Sequence, residues 1–496
     1  MHVRLKAMKE DAPNNSGLTI KKAPVGLAIL AMVGPSFIWA AEYIGTGEVI
    51  LATRTGAILG VTVLWAIVIG IFLKFWIGMS GARYTVCTGE GMIDMFDRMP
   101  GPRHWAVWIV LIVQFVAGTF SIGAVVSAAG VFVSSLLPAG LFPDFIAARL
   151  PGLCAWAVTF FAVIVVWSGV FNILKMVMSF CVLIIVVGVL YVAAHVFPGM
   201  SEFLKSLSFS IPQVPAWATS QGVAENPWKE ILPLLGWGAG GFASQVWYTY
   251  WVLGAGYGAA AGKGYGQPAD VPVLRRMSSE TARKIKGWCT VLYTDATLAM
   301  VIGVVVTSSF FIAGAGILRP EQVAPQGPEV AFTLSMLFSS RWGQAGGFLF
   351  ILAGAAAIIS TQIGQLAGWP RLLADSFRIC IPGFNRKLTW KRQFHLFLVY
   401  FLCTNMIMVF TLGKEPVRLV RFSALLDGIL LTSLQAICVA AGLFLVMPKM
   451  LSAEAWKVLR PSWVIAAGLF VAFAVFTYFC IFQMPASILT LLKGPG

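Results

Sequence analysis

Apolar residues run along the chain in stretches of about 20 or more, parted by short segments where Gly, Pro, Lys and Arg collect. A stretch of that length, coiled as an α-helix, crosses about 30 Å of hydrocarbon. Eleven such spans are predicted, at 24–54, 57–80, 105–136, 152–171, 174–197, 229–257, 286–313, 343–368, 394–412, 417–447 and 462–492. Ten-residue segments of alternating polarity are few, which argues against an outer-membrane barrel. The predicted class is an all-α membrane protein.

Within that pattern two spans carry helix breakers at their centres. The first reads GPSFIWAAEYIGTGEVILATRTG, with Gly45-Thr46-Gly47 at its middle and Gly34-Pro35 near its start. The sixth holds Gly236, Gly238, Gly240 and Gly241 in its first half. Each glycine weakens a helix by about 1 kcal/mol against alanine, and freed backbone in lipid is tolerated where it lines a cavity. Close helix packing through small residues is the bland alternative. The placement favours the cavity, because each cluster opens a set of five spans. Five crossings are an odd number, so a second copy of the unit enters the membrane upside down. Paired broken helices in inverted repeats mark a transporter's midplane site. The expected organisation is a tail at 1–23, a first repeat at 24–197, an external loop at 198–228, a second repeat at 229–447, and the eleventh helix with the C-terminus at 448–496.

Composition sharpens the class. Of 496 residues, 58% are hydrophobic and 11% charged, against about 25% charged in soluble domains. The net charge of +15 would suggest nucleic acid in a soluble protein. Here Lys and Arg crowd alternate loops instead, and no nucleic-acid motif accompanies them, so the bilayer is the expected partner. The bias puts Lys21, Lys22, Lys74, Arg83, Arg98 and Arg103 among cytosolic segments and leaves Arg54 and Arg149 outside. The expected location is the plasma or inner membrane, with the N-terminus cytosolic and the C-terminus outside. The eight cysteines stand singly, without a CxxC pair, so neither zinc nor a disulfide framework is expected. AGKGYG in the 258–285 loop fails as a phosphate loop, because Tyr257 and Gly264 stand where Gly and Ser or Thr are needed. No HExxH and no nucleophile–base spacing appears. A gradient-driven carrier or channel without a cofactor, and no enzyme, is the expectation.

Charges inside spans are expensive and usually functional. Glu42 and Glu48 lie on the first span, Asp295 on the seventh and Asp427 on the tenth. Glu48 follows the Gly-Thr-Gly break directly, where it is expected to face the cavity. No Lys or Arg is expected at mid-span to pair with these carboxylates. Gln114, Gln245, Gln362, Gln365 and Gln435 add neutral amides, and Ser360 and Thr361 make a polar turn in the eighth span. Trp247 and Tyr248 follow the glycines closely enough to wall a cavity. Carboxylates with aromatic walls suit a cation, either a hard metal ion or an organic ammonium.

Several segments resemble the Nramp metal-ion transporters in order and spacing over most of 24–447. These are GPSFIWAAEYIGTGEV, SGARYTVCTGEGM, LYTDATLAMVIGVVV, AIISTQIGQLAGWPRLLADSF and LLTSLQAICVAAG. The resemblance implies a LeuT-like fold of two inverted five-helix repeats, with broken helices 1 and 6, and alternating access. For the family it also implies divalent transition metals coupled to protons. The departures fall at the site. The family's Asp-Pro-Gly-Asn aligns with Gly45, Thr46, Gly47 and Glu48, and its Met-Pro-His with Gln245, Val246 and Trp247. Amide in place of thioether shifts preference toward hard ions, and loss of the His-like position removes a proton acceptor near neutral pH. The expected substrate is a cation, foremost a divalent metal. Glu48 and Gln245 would be ligands, with Gly45, Thr46, Gly47, Ser244 and Trp247 around them. By resemblance, Asp295 and Gln435 would support the site or its proton, and Glu42 is a further coupling or supporting group. The alternatives are an organic solute such as an amine or amino acid, and a non-transporting sensor or scaffold.

Overall fold

The computed structural model of the chain describes residues 20–138, 142–324, 330–411 and 416–485. The expected tail and C-terminus lie largely outside them. Among the described residues, nine helices are long and apolar enough to cross a membrane. The first and sixth spans are interrupted.

The first span is a half-helix, Pro35–Tyr43, then a break, then a π-helical turn Gly47–Ala52 that continues as Thr53–Leu59. Pro35 starts the first half where its missing N–H costs nothing. The break is held from the eighth span. Thr361 Oγ1 donates to the Ile44 carbonyl (3.2 Å) and Ser360 Oγ to that of Ala41 (2.7 Å). The polar turn therefore satisfies carbonyls that the broken helix leaves free. A side chain at Gly45 would collide with Thr361, so only glycine lets the two spans close here.

The sixth span divides into Trp228–Trp237 and Phe242–Ala255. Between them Ala239 and Gly240 take φ of +58° and +71°, left-handed backbone that interrupts the helix. At Ala239 that conformation costs about 1–2 kcal/mol. The half-helix Pro35–Tyr43 packs on Phe242–Ala255, and Trp228–Trp237 packs on Gly47–Ala52. Both breaks thus meet at the centre of the bundle.

Other spans follow the predicted order with shifted ends. The second helix is Leu64–Thr88, eight residues beyond the expected end at 80. Lys74 and Arg83, expected among cytosolic segments, lie inside it and are buried. This corrects the expectation that no basic residue sits at mid-span. Arg54, expected outside, is buried against Glu230. The eighth helix, Val330–Cys380, is longer than the predicted 343–368. The tenth span is interrupted by the π-helical turn Leu426–Leu430, which carries Asp427. Outward faces of several spans are apolar, as at Ile164, Phe180, Leu183 and Phe470, and this suits contact with lipid tails.

Candidate functional site

Where the two breaks meet, Glu42, Tyr43, Trp237, Gly240, Gly241, Ser244, Trp247, Gln365, Trp369 and Asp427 enclose a cavity of about 20 Å³. That is room for one water molecule or a bare ion.

Glu42 stands one residue from the end of the first half-helix, so the break leaves its carboxylate at the cavity wall. It accepts from Ser244 Oγ, which in turn accepts from Trp39 Nε1 at 3.0 Å. Trp39 is stacked on Tyr248 at 4.1 Å, which fixes the donor. Asp427 reaches the cavity from the tenth span. Its Oδ1 accepts from Gln114 Nε2 at 2.6 Å and from the Ala243 amide at 3.1 Å. It therefore caps the positive end of the half-helix Phe242–Ala255. Gln114 is held by Trp369 Nε1, which donates to its Oε1 at 2.7 Å.

Neither Glu42 nor Asp427 has an ion-pair partner among the described residues, and Asp427 acts electrostatically on Glu42. Two buried anions bordering one small cavity repel strongly unless a cation or proton joins them. The indole N–H groups of Trp237 and Trp247 and the Gln365 Oε1 are buried without partners. The Gln365 Nε2 donates to Ser121 Oγ at 3.2 Å, which leaves its oxygen free to accept or to ligate.

The residues expected to hold the cation are split by the fold. Ser244 and Trp247 border the cavity, as does Glu42, expected as a supporting group. Glu48 does not: its Oε2 accepts from the Gly45 amide at 2.9 Å. A carboxylate three residues into a helix commonly closes back on the first amide in this way. Its other oxygen is buried without a partner. Gln245 does not line the cavity: its Oε1 lies against Gly78 of the second span, and its Nε2 donates to the Ala239 carbonyl at 2.9 Å. Gly45 lies against Thr361 and Gly47 against the Trp237 ring; the Thr46 hydroxyl is buried without a partner. Asp295 accepts from the Gly34 amide (3.1 Å) and from Tyr248 O–H (2.9 Å), capping the start of the first half-helix away from the cavity. Gln435 donates to the Phe242 carbonyl at 3.1 Å. Asp427, expected only as an intramembrane carboxylate and not as a ligand, also lines the cavity. Its signal was the charge itself. Among the described residues, no three His, Cys, Asp or Glu side chains cluster as a metal centre.

The second half of the first span and the first half of the sixth are joined by a buried ion cluster. Arg54 meets both Glu230 oxygens, at 3.0 and 3.1 Å, and Arg421 joins the same carboxylate. From the second span, Lys74 Nζ donates to the carbonyls of Gly236 and Gly240 at the sixth helix's break.

No protein-family model matches the chain. Over 81 residues it is 35% identical to the divalent metal cation transporter MntH of Yersinia enterocolitica, a match covering 16% of this chain and 20% of that protein. The aligned part thus spans about a fifth of that relative's length. The manganese transporter of Eremococcus coleocola shares the fold at a TM-score of 0.64 and 15% identity, over 96% of this chain and 91% of the other. MhsT, solved with L-phenylalanine, gives 0.51 at 14% identity over 96% and 100%. The architecture is that of the LeuT-like transporters, with two inverted five-helix repeats and broken helices 1 and 6. The chain is thus similar to the MntH transporters over one segment and shares its fold with the manganese transporter over nearly its whole length.

Proposed function

We propose that the chain is a secondary transporter that moves a divalent metal ion across the membrane by alternating access, holding it between Glu42 and Asp427. The observation that carries this reading is the pair of buried carboxylates, without an ion-pair partner among the described residues, on a cavity of about 20 Å³. The oxygens at hand are two carboxylates, the Gln365 amide and Ser244. Such a set suits hard ions such as Mg²⁺ and Mn²⁺ over ions that prefer sulfur. The named activities of the relatives, divalent metal cation and manganese transport, point the same way. An amine or amino acid is disfavoured because a cavity of about 20 Å³ is the size of a single water or bare ion. The excess of Lys and Arg on alternate loops favours a cytosolic N-terminus and a C-terminus outside. Liposomes bearing the purified chain and an internal Mn²⁺-sensitive dye test the proposal. Saturable uptake, lost in Glu42→Gln and in Asp427→Asn, is expected. Uptake no faster than in protein-free liposomes would refute it.

A further inference from the structure

Lys74 stands near the middle of the second helix and is wholly buried. A buried ammonium ordinarily pairs with a carboxylate, yet among the described residues Lys74 has no ion-pair partner. Its charge is met by backbone instead. Nζ donates to the carbonyl of Gly236, in the last turn of the half-helix Trp228–Trp237, and to that of Gly240 in the break, the latter at 2.6 Å. The Phe476 ring lies 5.7 Å away, and Asp427 and Glu48 act on it from a distance.

This is the environment of a bound ion. The C-terminal end of a half-helix carries partial negative charge, and in transporters with discontinuous helices the unwound carbonyls at such ends coordinate a small cation. Here a side chain from another helix brings the cation with it. We propose that Lys74 is a tethered cation that permanently fills the monovalent-ion position created by the break in the sixth helix, so that this break holds its shape without bound sodium or potassium. The carbonyls of Gly236 and Gly240 are then closed to any travelling ion. A substrate at the cavity must use the side chains of Glu42 and Asp427. The inference rests on the broken sixth helix and is independent of what the cavity carries.

The test is thermal unfolding of the purified full chain in metal-free detergent solution. Chloride salts of sodium, potassium, methylammonium and N-methylglucamine are compared at equal ionic strength. Wild type should melt at one temperature in all four. Lys74→Ala should melt lower in N-methylglucamine and recover by several degrees in sodium, potassium or methylammonium, with saturation. Lys74→Gln, which keeps two N–H donors but no charge, serves if the alanine variant does not fold, and the same recovery is expected. A wild-type protein stabilised specifically by sodium or potassium would overturn the proposal. So would variants that fold but respond to none of the three small cations. Since no metal is present, failure of the transport reading would leave this result untouched.

Discussion

Gly241→Ala places one methyl group where the cavity can least accept it. Gly241 has an ordinary φ of −89°, so the backbone tolerates alanine and any effect is steric. A Cβ there would overlap Asp427 Oδ2, well inside the roughly 3.5 Å at which such atoms rest. The carboxylate has to retreat, and it is tied by the 2.6 Å bond from Gln114 and the 3.1 Å bond from the Ala243 amide. Hydrogen bonds to a charged group contribute about 1.5–3 kcal/mol each, so loss of one or both lowers stability by about 1.5–6 kcal/mol. The same retreat moves an anion off the cavity wall. A loss of about 1.4 kcal/mol or more in binding corresponds to at least about tenfold weaker affinity. Calorimetric titration of Mn²⁺ and thermal unfolding of the purified variant read the two effects. Gly91→Ala is the control, because its Cβ would find its nearest neighbour at 3.5 Å, an ordinary contact. If Gly241→Ala binds Mn²⁺ and unfolds as the control does, Asp427 is not held where the site needs it.

Further outcomes follow from the same geometry. Glu230→Gln leaves the guanidinium groups of Arg54 and Arg421 facing each other without their shared anion. It should destabilise the protein by about 3–5 kcal/mol, read as a lower midpoint in denaturant titration. Trp39→Phe removes the donor to Ser244 while keeping an aromatic ring on Tyr248. It should weaken Mn²⁺ binding about two- to twelvefold, for about 0.5–1.5 kcal/mol, with little change in melting. Saturating Mn²⁺ at about a hundred times its dissociation constant should stabilise wild type by about 2.7 kcal/mol. A chelator should reverse this, Glu48→Gln should preserve it, and Glu42→Gln should abolish it in the same thermal scan.

The breaks were legible because the chain writes them in glycine. Gly45, Gly47 and the cluster at 236–241 each sit where a larger residue would strike a neighbour or could not turn. The side-chain directions beside a break were not legible, because the interruption resets the helical phase. Glu48, just after the gap in sequence, folds back to cap it. Glu42, on the other side, is carried to the cavity. Lys74 was counted among loop charges although the predicted 57–80 span contains it, because basic residues toward a span's end are by default assigned to the cytosolic side. This helix instead continues to Thr88 and buries its ammonium on carbonyls that only the folded sixth span supplies. Asp427 gave a clear signal as a carboxylate in hydrocarbon, but its approach to the half-helix Phe242–Ala255 is a tertiary fact. No local pattern encodes the partner of a long-range cap.

Anomalous scattering from crystals grown with Mn²⁺ tests the placement of the substrate most directly. The account predicts one peak inside the bundle, in contact with Glu42 and Asp427 oxygens and absent from Glu42→Gln crystals. A peak lodged between Glu48 and Gln245, or none at saturating Mn²⁺, would contradict it.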